Sequence, residues 1–343
     1  MRGRGITYDT GFVRHGVNSR RRFTPESVER ELRVIRDDLH CTAVRVTGGD
    51  PDRLEIAATF AADLGLEVWF SPYPLEMAAE DTLALFVDCA QRAERLRRRG
   101  GDIVFVTGAE LSIMNPGFLP GDSLEERVQL LTRPHQMREV IADVGVRIND
   151  FLGTAAARVR DVFGGRITYA SIPIDRVDWT PFDIVSMDVY RSAQNAGTFA
   201  ETFTAGMRSP ALQGKPVAIT EFGCATYRGA ADRGAQGFEV VEYDKEAGPL
   251  RLNGDHVRDE AGQATYLREL LETFDTAGVD TTFVFIFALH DHPHRPGGDP
   301  RDDLDLASYG IVKVLENGYG RTYPDMPWEP KAAFTTVAEY YRG

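Results

Sequence analysis

Pro216-Val217-Ala218-Ile219-Thr220-Glu221-Phe222-Gly223 reads as a buried β-strand that ends on a carboxylate. Its β-branched and small apolar residues suit a parallel strand covered on both faces, and the closing glycine marks a turn. Upstream, Ile103-Val104-Phe105-Val106-Thr107-Gly108-Ala109-Glu110 repeats the design, again finishing on a glutamate. Six further apolar runs of the same kind flank these two: Gly5–Asp9, Ala43–Thr47, Glu67–Ser71, Ile167–Ser171, Ile184–Tyr190 and Thr282–Leu289. Helical segments separate them. Thr24-Pro25-Glu26 offers an N-cap, a proline for the first helical position and an early acid, after which Val28, Leu32, Ile35 and Leu39 share one face. Asp50-Pro51 starts the next helix and Gly65 closes it.

Eight strand–helix units over residues 1–343 predict one (β/α)8 TIM barrel, a single α/β domain. A doubly wound open sheet shows the same alternation, but the first strand–helix turn, around Gly11 and Gly16, lacks a glycine-rich phosphate loop. Two loop insertions interrupt the rhythm: Leu111–Pro134 after strand four, and the glycine-rich, polar Cys224–Glu260 after strand seven. Both follow strand C-terminal ends, where barrels build their sites. Ala230–Gly254, taken alone, reads equally well as a disordered surface insertion.

The chain has 343 residues, 43% of them hydrophobic and 27% charged, with a formal net charge of −13. That composition suits a globular core, and the acidic balance argues against nucleic acid and membrane surfaces as partners. A small neutral carbohydrate or glycoside fits better. The runs Arg20-Arg21-Arg22 and Arg97-Arg98-Arg99 read as solvated faces. Cys41, Cys89 and Cys224 are scattered, without spacing for zinc or disulfides, and Met1-Arg2-Gly3-Arg4-Gly5 opens without a signal-like apolar stretch. These features predict a reduced, cytoplasmic protein.

In a barrel, polar residues that end strands carry the chemistry. Glu110 and Glu221, on strands four and seven, can face one another across a bound sugar. One protonated and one ionised carboxyl group is the equipment of glycoside hydrolysis. The pattern resembles the large clan of retaining glycosidases built on this barrel, with Thr220-Glu221-Phe222-Gly223 similar to the nucleophile segment and Gly108-Ala109-Glu110-Leu111-Ser112 to the acid/base segment. The resemblance implies Glu221 as nucleophile, Glu110 as acid/base, Arg45 as support for the nucleophile, Tyr190 as its hydrogen-bond donor, and no cofactor. Trp328–Phe334 resembles the last helix of such enzymes. More weakly, the chain is similar to actinobacterial proteins labelled abortive-infection proteins. It departs from the clan at Ala109, where most members carry an asparagine on the substrate 2-hydroxyl. That departure implies a different 2-position, as in a manno-configured sugar, a substitute donor, or a non-catalytic carbohydrate-binding barrel.

Further candidates for substrate contact end other strands. Trp69, in Trp69-Phe70-Ser71-Pro72-Tyr73, and Trp179 offer stacking faces; Asp9 and Asp188 offer hydroxyl contacts. His290 and His292, in Leu289-His290-Asp291-His292-Pro293-His294, form the densest histidine cluster. No histidine pair ends strand one and strands five and six hold no histidine, so these residues read as hydrogen-bonding groups and no metal is expected.

Overall fold

The computed structural model describes residues 1–14, 16–244 and 248–343. Eight parallel strands close into a barrel: β1 Gly3–Asp9, β2 Ala43–Gly48, β3 Glu67–Pro72, β4 Ile103–Ala109, β5 Arg166–Ser171, β6 Val185–Asp188, β7 Val217–Phe222 and β8 Thr281–Val284. Each pairs with its sequence neighbour, and β1 joins β8 to close the ring. The fold is the (β/α)8 TIM barrel.

The helices begin where their caps put them. Thr24 Oγ1 accepts the Ser27 N–H at 3.3 Å ahead of Pro25–Asp37, and Asp50 accepts the Asp52 N–H at 2.9 Å ahead of Pro51–Asp63. Val28, Leu32, Ile35 and Leu39 are all fully buried against the barrel wall. The fifth unit breaks the pattern. Between β5 and β6 stands only a short 3₁₀ turn, Pro173–Asp175. Trp179 and Phe182, ring centroids 5.8 Å apart, fill the place a helix would cover and join the core.

Strand eight is shorter than its apolar run. Register slips between Thr282 and Val284 against β7, and Phe285–Leu289 continues as a buried irregular segment held by Phe285 N–H to Phe222 O at 2.9 Å and Phe287 N–H to Thr7 O at 2.9 Å. Strand six likewise stops at Asp188, two residues before Tyr190.

The described part of Ala230–Gly254 is ordered, against the disorder reading; residues 245–247 lie outside the described residues. It forms a helical turn, Ala230–Arg233, a 3₁₀ stretch, Gly234–Val240, and an antiparallel hairpin, Val241–Asp244 with Gly248–Leu252. Apolar burial explains it: Tyr227, Val240, Val241 and Leu252 pack with Leu304, Leu306 and Tyr309 of the excursion after β8. That second excursion, up to the last helix at Ala332–Arg342, is anchored by a fully buried Lys331–Asp305 ion pair at 2.9 Å.

Arg20 also departs from expectation. It is buried, reaching Glu31 at 2.7 Å and the Asp9 carbonyl at 2.7 Å, while Tyr8 donates its hydroxyl to the same Glu31. The three cysteines are free and buried, their thiols pushed up by burial. Among the described residues no helix is long and apolar enough to cross a membrane.

Candidate functional site

Register irregularities gather at the strand ends of the mouth: between Val106 and Ala109 on β4, between Met187 and Asp188 on β6, and at the top of β8. Such bulges re-aim side chains at barrel rims. On β4 the re-aiming involves Gly108 and Glu110. Gly108 has φ 87°, and a Cβ there would meet Leu111 Cδ2 at 2.9 Å and Phe86 Cζ at 3.0 Å. Glu110 itself sits in the left-handed region, at φ 48° and ψ 35°. For a residue with a side chain that conformation is held against its preference.

What holds it is a buried polar network. The Glu110 N–H donates to Ala170 O at 3.0 Å, and the Leu111 N–H donates to the Tyr169 hydroxyl at 2.8 Å. Tyr169 donates in turn to Asp175 at 3.0 Å, which also accepts from Ser112 and from the Ile172 N–H. Asp175 is fully buried, and burial raises its pKa against these three donors. Sequence inspection missed Asp175 and Tyr169, which lie some sixty residues from the turn they brace.

Glu221, the penultimate residue of β7, lies in register with Asp188. Tyr190 donates its hydroxyl to Oε1. The Arg45 guanidinium lies 3.7 Å from Oε2, itself held by Thr220 O at 3.0 Å and Ser71 Oγ at 3.2 Å. Burial raises the Glu221 pKa, opposed by Arg45 and then Tyr190. Glu110 has no comparable relief. Burial, then the charges of Glu221, Asp188 and Asp175, push it well above the ordinary carboxyl range, with only Arg45 opposing. Both carboxyl groups are raised by burial, but Glu221 has Arg45 and Tyr190 beside it while Glu110 stands among like charges.

Asp188 is a third carboxyl group in the cluster. It is buried, and burial followed by the charge of Glu221 raises its pKa to about 8, against Arg45 and the nearby Thr220 hydroxyl. Tyr73, at the top of β3, also belongs here: its phenol is raised by burial and by the charges of Glu110 and Glu221, and its ring meets Phe12 at 4.9 Å. Asp9 ends β1, where one oxygen accepts the Gly11 N–H at 2.6 Å and the other has no partner. Burial lifts its pKa to about 7, against the charge of Arg20. His290 and His292 follow β8. Burial, with Arg20, pushes His290 well below its ordinary pKa; His292 is buried with Nδ1 2.7 Å from Asp291, and its Nε2 lacks a partner.

Two candidates leave the site. Trp69 is fully buried inside the barrel, its Nε1–H on Glu67 at 2.7 Å and its ring 4.8 Å from Phe283, because its depth on β3 places it near the floor. Trp179 packs on Phe182 below β6, its carbonyl held by Lys215 just ahead of β7, again at the floor. Tyr73, four residues beyond Trp69, is the aromatic of that stretch that reaches the mouth. Among the described residues no three His, Cys, Asp or Glu side chains converge as a metal site.

The whole chain superposes on a GH113 beta-1,4-mannanase with a TM-score of 0.60 at 17% identity, covering 100% of both chains. The GH113 beta-mannanase of Alicyclobacillus acidocaldarius gives 0.59 at 14% identity, over 99% of this chain and 97% of that one. A Bacteroides uniformis beta-glucuronidase gives 0.59 at 11%, with 100% of this chain matching 35% of that one. At such identities the likeness shows the barrel fold alone. No protein-family model matches the chain, and neither does any curated protein.

Proposed function

We propose that this chain hydrolyses an O-glycosidic bond by double displacement, with Glu221 as nucleophile and Glu110 as acid/base. The observation that carries the reading is the unequal surroundings of the two glutamates: Arg45 and Tyr190 serve Glu221, while like charges crowd Glu110. Glu221 attacks the anomeric carbon as Glu110 protonates the departing oxygen. Glu110, now ionised, takes a proton from water as the water displaces Glu221.

The sugar is proposed to be neutral. Glu110, Glu221 and Asp188 lie close enough for their charges to act on one another, and Arg45 is committed to Thr220, Ser71 and Glu221. Of the sugars named for the structural neighbours, a mannoside suits this field better than a glucuronide, whose carboxylate it repels. Ala109, buried inside the barrel, agrees with an altered contact at the 2-position. The same alanine supports a second reading, a barrel that binds carbohydrate without cleaving it.

A 2-deoxy-2-fluoro glycoside with a good leaving group decides between them. Trapped on the enzyme and digested, it should be found by mass spectrometry on the Glu221 peptide, with the anomeric configuration retained in products from ordinary substrates. Tight binding of sugar without label or turnover would establish the binding module.

A further inference from the structure

Glu110 is followed by a single helical turn, Leu111–Met114, and that turn is gripped at both ends. At its start the grip is Tyr169 and Asp175. The Leu111 N–H donates to the Tyr169 hydroxyl at 2.8 Å, and that hydroxyl donates onward to Asp175 Oδ2 at 3.0 Å. Ser112 Oγ donates to the other oxygen of Asp175, and the Ile172 N–H completes the set at 3.1 Å. At its end the grip is Arg127. Its Nε donates to Ile113 O at 2.6 Å and its Nη1 to Gly121 O at 3.1 Å, while Nη2 pairs with Glu76 at 2.9 Å. The Glu76 N–H donates to Met114 O at 3.0 Å, and Asn115 Nδ2 reaches Met77 O at 2.9 Å.

Ser112, Tyr169, Asp175 and Arg127 are all fully buried. Burying an aspartate and an arginine around one turn is a poor route to stability, because each charge loses its water. A closed polar network instead fixes one geometry against its alternatives. Here it fixes a backbone that would otherwise leave, for Glu110 lacks the freedom of glycine and still stands at φ 48° directly before the turn. The Tyr169 hydroxyl is the joint. It accepts on one side and donates on the other, so it carries the position of Asp175 to the amide next to Glu110.

From this geometry we propose that Tyr169 and Asp175 are positioning residues for the acid: they fix the backbone at Glu110 and with it the direction of its carboxyl group. This rests on the hydrolase reading above, and neither residue touches the reacting atoms. Protonating a leaving oxygen needs hydrogen-bond reach and alignment, and a misplacement of about 1 Å costs on the order of 100-fold. Released from the brace, Glu110 leaves the left-handed region and its carboxyl group swings off the departing oxygen. Glu221, held on β7 by Arg45 and Tyr190, stays where it is.

The test uses the full chain and kcat/KM for aryl glycosides, which reports the first bond-breaking step. Tyr169→Phe removes the hydroxyl and no charge. Its kcat/KM should fall about 10- to 100-fold for a phenyl glycoside, which needs the proton, and at most about threefold for a dinitrophenyl one, which does not. In a Glu110→Ala background the same substitution should cost nothing further, because no acid is left to place. Equal losses for both leaving groups, or a full additional loss in the double variant, would overturn the positioning role and leave the hydrolase reading intact. Ser112→Ala takes one donor from Asp175 and keeps the Tyr169 link; it should show the same split at smaller size, and it carries the test if Tyr169→Phe does not fold. A uniform loss there also counts against the proposal. Glu110→Ala without a leaving-group split would overturn the acid assignment and the proposal together. A wild-type chain that turns over no aryl glycoside would overturn the hydrolase reading as well.

Discussion

The two ends of this barrel treat buried polar groups in opposite ways. At the floor, Glu67 is met by Arg2, by Arg166 at 3.6 Å and by the Trp69 indole, and Asp280 is met by Arg2 at 2.9 Å. At the mouth, one oxygen of Asp9 and the Nε2 of His292 lack partners, burial and the charge of Glu221 raise Asp188, and like charges surround Glu110. A buried polar group left unpaired costs about 1–3 kcal/mol. The contrast teaches where stability is built and where it is given up: the floor satisfies its groups, and the mouth holds its groups ready for something else.

The contrast breaks most directly at Glu221. Replacing it by alanine should lower turnover on the order of 10⁴-fold or more while leaving the melting temperature equal or higher. A variant with wild-type rates, measured on any accepted aryl glycoside, would remove the chemistry from the mouth. Glu110→Ala should cost about 10²–10⁴-fold with a poor leaving group and far less with dinitrophenolate, which departs without a proton. Equal losses for both leaving groups would deny Glu110 its acid role. In wild type, if Glu110 is the acid, the alkaline limb of kcat/KM should lie above the ordinary carboxyl range, because burial and neighbouring carboxylates raise it.

At the floor the expected loss is of fold, not of chemistry. Trp69→Ala should remove about 3–5 kcal/mol of stability in a urea titration, the usual cost of emptying a large aromatic site. A smaller loss would show that the floor is less tightly packed than its burial implies. The last effect, at Asp188, is confined to the dependence of stability on pH. Its pKa rises from 3.8 to about 8 on folding, so the folded state holds its proton more tightly. Stability from this group is fully present below about pH 4 and is lost as pH rises through about 8. Asp188→Asn should therefore flatten the decline in unfolding free energy between about pH 4 and pH 8. Parallel curves for variant and wild type would mean that Asp188 is not kept protonated by its surroundings.

Much of this was legible in local pattern. Caps at Thr24 and Asp50, the Val28–Leu39 face and the glutamate that follows each of two apolar runs are short-range signals. Depth was not legible. Glu67, Trp69 and Ser71 alternate along one strand and continue to Tyr73, so alternation groups them correctly, but four residues of rise, about 13 Å, separate floor from mouth. Trp69 and Trp179 were therefore plausible stacking faces by type and fell at the wrong level. The brace around Glu110 was hidden for another reason: Ser112 and Asp175 are 63 positions apart and meet only in the closed barrel. Arg20, read as part of a solvated run, paired with a glutamate on the first helix that no periodicity links to it.

The left-handed backbone at Glu110 has a practical consequence for protein engineering. Asparagine visits that conformation far more readily than glutamate, and without the unfolded-state entropy that glycine brings. Glu110→Asn should relieve roughly 1 kcal/mol of conformational cost, removing at the same stroke a carboxyl group that burial and neighbouring carboxylates raise. If Glu110 is the acid proposed above, that one codon change would yield a sturdier scaffold that retains the mouth but not its chemistry.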